Sequence, residues 1–262
     1  MMSRRPPMED PIGNWVWLAD FAGTRAALCL GEAGDTMAEA LSRHFELTWV
    51  AEARAGEFAR LQTRLAPTAP AVRLVRAGPD ALPFGAESLD CVTLHGLFDW
   101  WPGEGTHAER TKARAALLAD SRRVLRPGGC LYVAHENRLR QTLRTAASKA
   151  GRPWKLVHTV ARLVAQGLGA HSGDAPGPAW SGPSPGEMAQ ALRSAGFRRV
   201  RSFYADPSHM NPRYVIPRTR QATLAFERAL FRELQRSPMR RPLAALGLHR
   251  VLYGSVLHLA AA

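Results

Sequence analysis

Lysine is nearly missing from this chain of 262 residues: it stands only at positions 112, 149 and 155, although the formal net charge is +13. The positive charge is therefore almost all arginine, and it is scattered. A long basic tract is absent, as is an aromatic-interleaved RNA-binding motif, so charge alone does not assign a nucleic-acid partner. Together with abundant alanine, glycine and proline, the arginine bias has a sufficient explanation in codon composition; attraction to an anionic substrate or partner stays open. Long apolar runs are also absent, which excludes a membrane-spanning segment. Arg4 and Arg5 are followed by Pro6, Pro7, Glu9 and Asp10, where a secretory signal needs its apolar stretch, and the expectation is a cytoplasmic protein. Cysteine is scarce, and Cys29, Cys91 and Cys130 sit in strand-like runs. Their spacing matches neither a metal site nor a disulfide framework, so they read as reduced core residues with no metal implied. There is no internal repeat.

What is present is an alternation. An apolar content of 46% supports a full core, and disorder on a large scale is excluded. Residues 24–45 set the pattern: a buried strand at 26–30, a glycine-containing turn at 31–35, and an amphipathic helix with Met37, Ala40, Leu41 and Phe45 on one face. Thr36 and Glu39 have the spacing of a capping box. Strands follow at 46–52, 72–75, 91–95, 130–134, 200–204 and 251–259. Helices are expected at 53–65, 107–125, 185–195 and 220–234, the third opened by Ser184-Pro185-Gly186-Glu187. Pro127 and Gly128 occupy the central positions of a type II turn. Strands and helices alternating over about 200 residues predict an α/β fold, a Rossmann-like, doubly wound and mostly parallel sheet of about seven strands.

One domain spans 1–262. Residues 1–23 form an N-terminal arm and flap, in which 12–21, with Trp15 and Trp17, reads as a short helix packed over the sheet. Residues 138–183 and 207–250 are helical insertions. Both follow strands on the side where open α/β folds bind ligands, and they are expected to cap a substrate pocket.

Three segments carry a resemblance. Residues 80–92 (DALPFGAESLDCV) resemble the "LPF…SFDxV" stretch of class I S-adenosylmethionine-dependent methyltransferases. Residues 121–129 (SRRVLRPGG) resemble that family's "RVLKPGG" turn, and 192–197 (LRSAGF) its "LxxAGF". They occur in family order over about 24–204, and the first strand–turn–helix falls where the cofactor loop belongs. The resemblance implies S-adenosylmethionine as cofactor, with Gly31, Glu32 and Gly34 admitting it to the backbone. Glu52 would hold the ribose hydroxyls, Asp80, Ala81 and Leu82 the adenine, and His95 would close the site. The sequence departs from the family pattern at Cys29, where an acidic residue is usual, and at Ala33 and Asp35, where glycines are usual.

Methyl transfer from a sulfonium is an in-line displacement, and orientation supplies about 7–11 kcal/mol of the acceleration when geometry is right. A base is needed only for a protonated acceptor. His95 and His135, at the ends of the fourth and fifth strands, are the candidates for catalysis. Trp100, Glu136, Asn137, Tyr204, His209 and Arg213 are candidates for substrate binding, Arg213 for an anionic one. Residues 207–217 are also similar to a loop of bacterial methyltransferases in glycan and natural-product biosynthesis. The expected function is therefore methyl transfer to such a small-molecule acceptor, with a homo-oligomer or protein partner left open. The alternative is a non-catalytic, methyltransferase-like binding or scaffold protein, motivated by the altered loop.

Overall fold

The computed structural model describes residues 11–31, 34–65, 71–103, 105–137, 140, 182–230 and 253–262. Eight strands form one sheet in the order β3-β2-β1-β4-β5-β8-β6-β7. They are β1 (Ala26–Gly31), β2 (Leu47–Ala51), β3 (Val72–Val75), β4 (Leu89–His95), β5 (Leu125–Glu136), β6 (Val200–Ser208), β7 (Asn211–Pro217) and β8 (Ser255–Ala261). β1 to β5 pair in parallel, whereas β8 enters antiparallel between β5 and β6, and β7 returns antiparallel on β6. The strand beyond the seven expected, β7, lies at the start of the segment expected to be a helical insertion. Residues 207–217 instead form a hairpin that extends the sheet.

Strand alternation distributes the apolar side chains to two faces. Ala27, Cys29, Cys91, Cys130, Tyr132 and Ala134 face α1 (Gly34–Leu41) and α2 (Ala55–Leu65), through Met37, Leu41, Leu61 and Leu65. Leu28, Leu30, Val92, Leu94, Leu131 and Val133 face α3 (His107–Val124) and α4 (Pro185–Ser194), through Leu117, Leu118, Met188 and Leu192. The last helix among the described residues, α5 (Arg220–Leu230), contributes Leu224 and Phe226 to a smaller cluster on Tyr204, Ile216, Tyr253 and Val256. The three cysteines are free and buried, and desolvation raises all three thiols, Cys29 and Cys130 to about 12.

Residues Pro11–Leu18 form a 3-10 helix on the first face. Trp15 is fully buried and stacks on Tyr132 at 4.2 Å between ring centroids, while Trp17 is exposed. Packing, the expectation for this segment, is what the fold shows. Residues 1–10, the insertion at 138–183 apart from Arg140, Gly182 and Pro183, and residues 231–250 lie outside the described residues, so the capping of a pocket by them does too.

The resembling motifs are held together by named bonds. Asp90 accepts hydrogen bonds from the Arg25 and Ala26 amides and from the Arg126 guanidinium, each at 2.9 Å. It thereby ties the start of β1 to β4 and to the irregular first part of β5, where Gly128 has φ +77°. Asp120 and Arg123 on α3 hold the 82–84 loop: Asp120 accepts from the Leu82 amide, and Arg123 donates to the Leu82 and Phe84 carbonyls. The Ser184 capping box forms as expected, and Thr106 with Glu109 makes a second one. The Thr36–Glu39 box does not form: α1 begins at Gly34, which puts Thr36 inside the helix.

Candidate functional site

The chain leaves β1 for β2 and β3 on one side, then returns to β4 on the other, so the sheet reverses its winding between β1 and β4. Ligands bind at such a switch point, beyond the carboxyl ends of the strands. Gly31 and His95 are register partners there. Gly31 has φ +107°, and a Cβ on it would overlap the His95 carbonyl oxygen. Only glycine meets both conditions.

Each loop departure has a structural account. Asp35 sends one carboxylate oxygen to the Thr36 amide at 2.8 Å and the other to Arg64 at 2.5 Å and Arg60 at 3.4 Å on α2. Its charge is neutralised against the neighbouring helix. Cys29 packs between β2 and β4 in the core. Gly34 opens α1, close to Val50; Glu32 lies outside the described residues.

Glu52 stands just past the end of β2. Its carboxylate accepts from the Arg54 amide at 2.7 Å and from the Arg54 guanidinium at 3.0 and 2.9 Å. Desolvation raises its pKa, but the Arg54 hydrogen bonds outweigh it and hold the group below the usual range. A carboxylate offers about four acceptor positions, so three bonds leave room for one hydroxyl. Arg54 also lies 5.7 Å from the ring centroid of the exposed Trp100. Asp80 and Ala81 are exposed in the turn after β3. Leu82 is a correction: its side chain is in the core, and its amide and carbonyl are engaged by Asp120 and Arg123.

Around β4, β5 and β8 the structure gathers four buried histidines, His95, His135 and His258 on those strands and His209 in the β6–β7 turn. The hydrogen-bond directions that satisfy all donors run in two chains. In the first, Ser202 Oγ donates to His258 Nδ1 at 2.9 Å, His258 Nε2 to His135 Nε2 at 3.3 Å, and His135 Nδ1 to the Glu136 carbonyl at 2.8 Å. Both rings of His135 and His258 are consumed in it, and His135 is corrected from catalytic to structural. Desolvation pushes His258 well down, so it is neutral. In the second, Tyr132 donates to His95 Nδ1 at 3.3 Å, and His95 Nε2 to Met210 Sδ at 3.3 Å. Desolvation lowers His95 to about 4, so it too is neutral, with both nitrogens engaged. His95 closes the end of β4 but presents no lone pair for a base.

His209 differs. It sits in the β6–β7 turn and is 2% exposed. Its Nδ1 donates to Ser255 Oγ at 3.0 Å, and Ser255 donates to Glu136 Oε1 at 3.2 Å. Nε2 is buried without a hydrogen-bond partner, 3.6 Å from Asp99 Oδ2. Desolvation, then the nearby His95 and His135, holds its pKa down to about 3. Asp99 also accepts from the Glu136 amide at 2.8 Å.

The remaining expectations separate. Asn137 is buried and ties the Gly254 and Tyr253 carbonyls through its backbone and side-chain amides. Tyr204 is buried against Tyr253 at 4.7 Å between centroids. Both are corrected from substrate contacts to core. Arg213 is exposed on β7. Sequence reasoning did not single out Asp99, Tyr132, Ser255 and Met210. Only Asp99 left a signal, a carboxylate four residues after His95 in a strand-end loop.

Glycine at the switch point, an acid at the end of β2 and a polar cluster beyond β4 and β5 define a cofactor-binding Rossmann-like α/β protein. Residues 28–133 match a family model described as a methyltransferase domain. Over those residues the chain is similar to methyltransferase domains, and its fold is the one seen in S-adenosylmethionine-dependent methyltransferases. No curated protein matches its sequence. Among solved structures, an Archaeoglobus fulgidus SAM-dependent methyltransferase is 12% identical, with TM-score 0.53, over 96% of this chain and 92% of that one. A Haloferax volcanii methyltransferase complex with the Trm112 activator gives 15% identity and TM-score 0.52, covering 97% and 89%. The (4+2)-cyclase SpnF gives 15% and 0.50, covering 95% and 77%. At these identities the likeness is one of fold.

Proposed function

We propose that this protein transfers the methyl group of S-adenosylmethionine to a small-molecule acceptor of the natural-product or glycan type. The observation that carries the reading is the Gly31–His95 juncture at the switch point between β1 and β4, where only glycine fits. The residues suit the cofactor. The Gly31 backbone lies at the switch point, and Glu52 is an ionised acceptor with a position left for a ribose hydroxyl. The Asp35 charge, in place of a family glycine, is absorbed by α2.

When bound, the cofactor supplies a methyl group on a sulfonium. The chain's part is positional: Gly31, Gly34 and Glu52 hold the cofactor, His95 closes the strand end, and Trp100, Glu136 and His209 hold the acceptor. Orientation of this kind suffices for an in-line displacement. Residues 138–183 and 231–250 would cap the acceptor, the protein would act in the cytoplasm, and a protein partner or second copy is compatible with this fold. Calorimetry with S-adenosylhomocysteine tests the reading. Binding at micromolar concentration is expected, and its absence at millimolar concentration would sink it.

The Arg54 fork on Glu52 favours a second reading, a binding protein that has abandoned the cofactor. S-adenosylhomocysteine retained through purification would exclude it.

A further inference from the structure

Three histidines on β4, β5 and β8 have both ring nitrogens committed: His95 to Tyr132 and Met210, His135 to Glu136 and His258, His258 to Ser202 and His135. His209 has one committed nitrogen and one orphan. A buried polar atom without a partner is rare in a folded protein and calls for an explanation. The bond direction supplies one. Because His209 Nδ1 donates to Ser255 and Ser255 donates to Glu136, Nε2 carries the lone pair. That lone pair lies 3.6 Å from Asp99 Oδ2, too far for a direct hydrogen bond. Two acceptors therefore stand side by side with no hydrogen between them, which is the complement of an N–H or O–H group.

We propose that His209 takes the proton from a protic acceptor, an amine or a hydroxyl, as the methyl group arrives, with Asp99 and Glu136 flanking the imidazolium that forms. The proposal rests on the methyl-transfer reading. The acceptor nitrogen or oxygen forms its bond to the methyl carbon, and the sulfur–carbon bond breaks with its electron pair going to sulfur. The proton on the acceptor passes to His209 Nε2, and afterwards to solvent. Asp99 Oδ2 lies 3.6 Å from Nε2 and Glu136 Oε1 3.6 Å from Nδ1, so the new charge forms between two carboxylates. His95, at 5.0 Å between centroids, and His135 are the other titratable groups facing the ring; with burial they keep the resting imidazole neutral. The strong downward shift of His209 guarantees a vacant lone pair at neutral pH. A weak base is sufficient here, because an oxygen or nitrogen being alkylated becomes far more acidic as the bond forms.

The experiment has two arms on the full chain. Nitrogen-15 NMR of histidine-labelled protein reads the His209 tautomer without any substrate. A proton on Nδ1 and a bare Nε2 is expected, and a proton on Nε2 overturns the proposal. The second arm follows methyl transfer from S-adenosylmethionine to a panel of small aliphatic and aryl amines and phenols, with thiophenolate as a control that has no proton to lose. His209→Asn should lower transfer to amines and phenols by about 100-fold or more and lower thiophenolate methylation far less, while S-adenosylhomocysteine binding holds. Equal loss with thiophenolate, an unchanged rate with amines and phenols, or no transfer to any panel member by a wild type that binds S-adenosylhomocysteine would each overturn it. Failure to bind S-adenosylhomocysteine would instead remove the methyl-transfer reading, and leaves the tautomer result to decide the role of Nε2.

Discussion

Gly31 and His95 approach so closely across β1 and β4 that a methyl group on Gly31 would overlap the His95 carbonyl oxygen. The backbone cannot give way easily, because both residues are paired in the sheet. Gly31→Ala is expected to destabilise the fold by about 2–4 kcal/mol, from overpacking added to strain at a positive φ. For a domain of this size that is a fall of about 5–10 °C in Tm, read by circular dichroism. A Tm within 2 °C of wild type, about the effect of a single kcal/mol or less, would contradict the contact.

Glu52 and Arg54 make a sharper test of the cofactor side. Glu52→Ala should weaken S-adenosylhomocysteine binding about tenfold or more, the loss of a charge-assisted hydrogen bond. Arg54→Ala should do the reverse and tighten it severalfold, because the ribose hydroxyls then meet a carboxylate with two further positions open, the backbone amide bond being kept. Weaker binding in the Arg54 variant, by calorimetry, would show that Arg54 orients Glu52 rather than competing for it.

Asp90 should matter through stability and not through binding. Desolvation raises its pKa, and the Ala26 amide, Arg126 and the Arg25 amide lower it by more, so the folded value lies below the unfolded one. Its contribution is therefore present above the ordinary carboxylate range and is lost as pH falls through the depressed value. Asp90→Ala strands two amides and Arg126, and is expected to cost about 2–4 kcal/mol at pH 7 in urea unfolding. A fully stable variant would mean that the amides find other partners.

The buried histidines lose stability in the same direction, but in a higher pH window. His95 and His209 have folded values of about 4 and about 3, below the unfolded value near 6.5. Between these limits the unfolded chain binds more protons, so stability falls as pH drops. The slope is about 1.4 kcal/mol per pH unit for each such histidine. Urea midpoints measured from pH 7 to pH 4.5 should decline, and His209→Asn should flatten the decline. An unchanged midpoint over that range would place these rings in water.

Trp15 and Trp17 separate packing from exposure within one short helix. Trp15→Ala should cost about 3–5 kcal/mol, as for a large aromatic removed from a core, since its ring stacks on Tyr132. Trp17→Ala should stay within about 0.5 kcal/mol. Equal losses by thermal unfolding would put Trp17 in an interface.

Much of this architecture was written locally. Alternating apolar residues fixed β1 to β6 and β8 within a few positions, and the capping box at Ser184 came from spacing alone, whereas Pro127 and Gly128, expected as a turn, lie in the irregular first part of β5. Those signals are short-range, carried by residues that neighbour one another in the chain. The strand β7 was missed because Pro207, Pro212 and Pro217 punctuate it and read as turns, although an edge strand tolerates proline.

The site is a different matter. Gly31 announced itself, since a turn at a strand end requires glycine whatever surrounds it. Which histidine keeps a lone pair was decided only when His209 from the β6–β7 turn met Ser255, Glu136 and Asp99 from three other parts of the chain. Sequence determined the strands, the turns and the family motifs, because those depend on local chain preference and hydrophobic period. The tertiary structure decided that His95 and His135 are consumed by neighbours and that Asp35 is neutralised on α2. Hydrogen-bond direction and charge pairing depend on atoms that only the fold brings together.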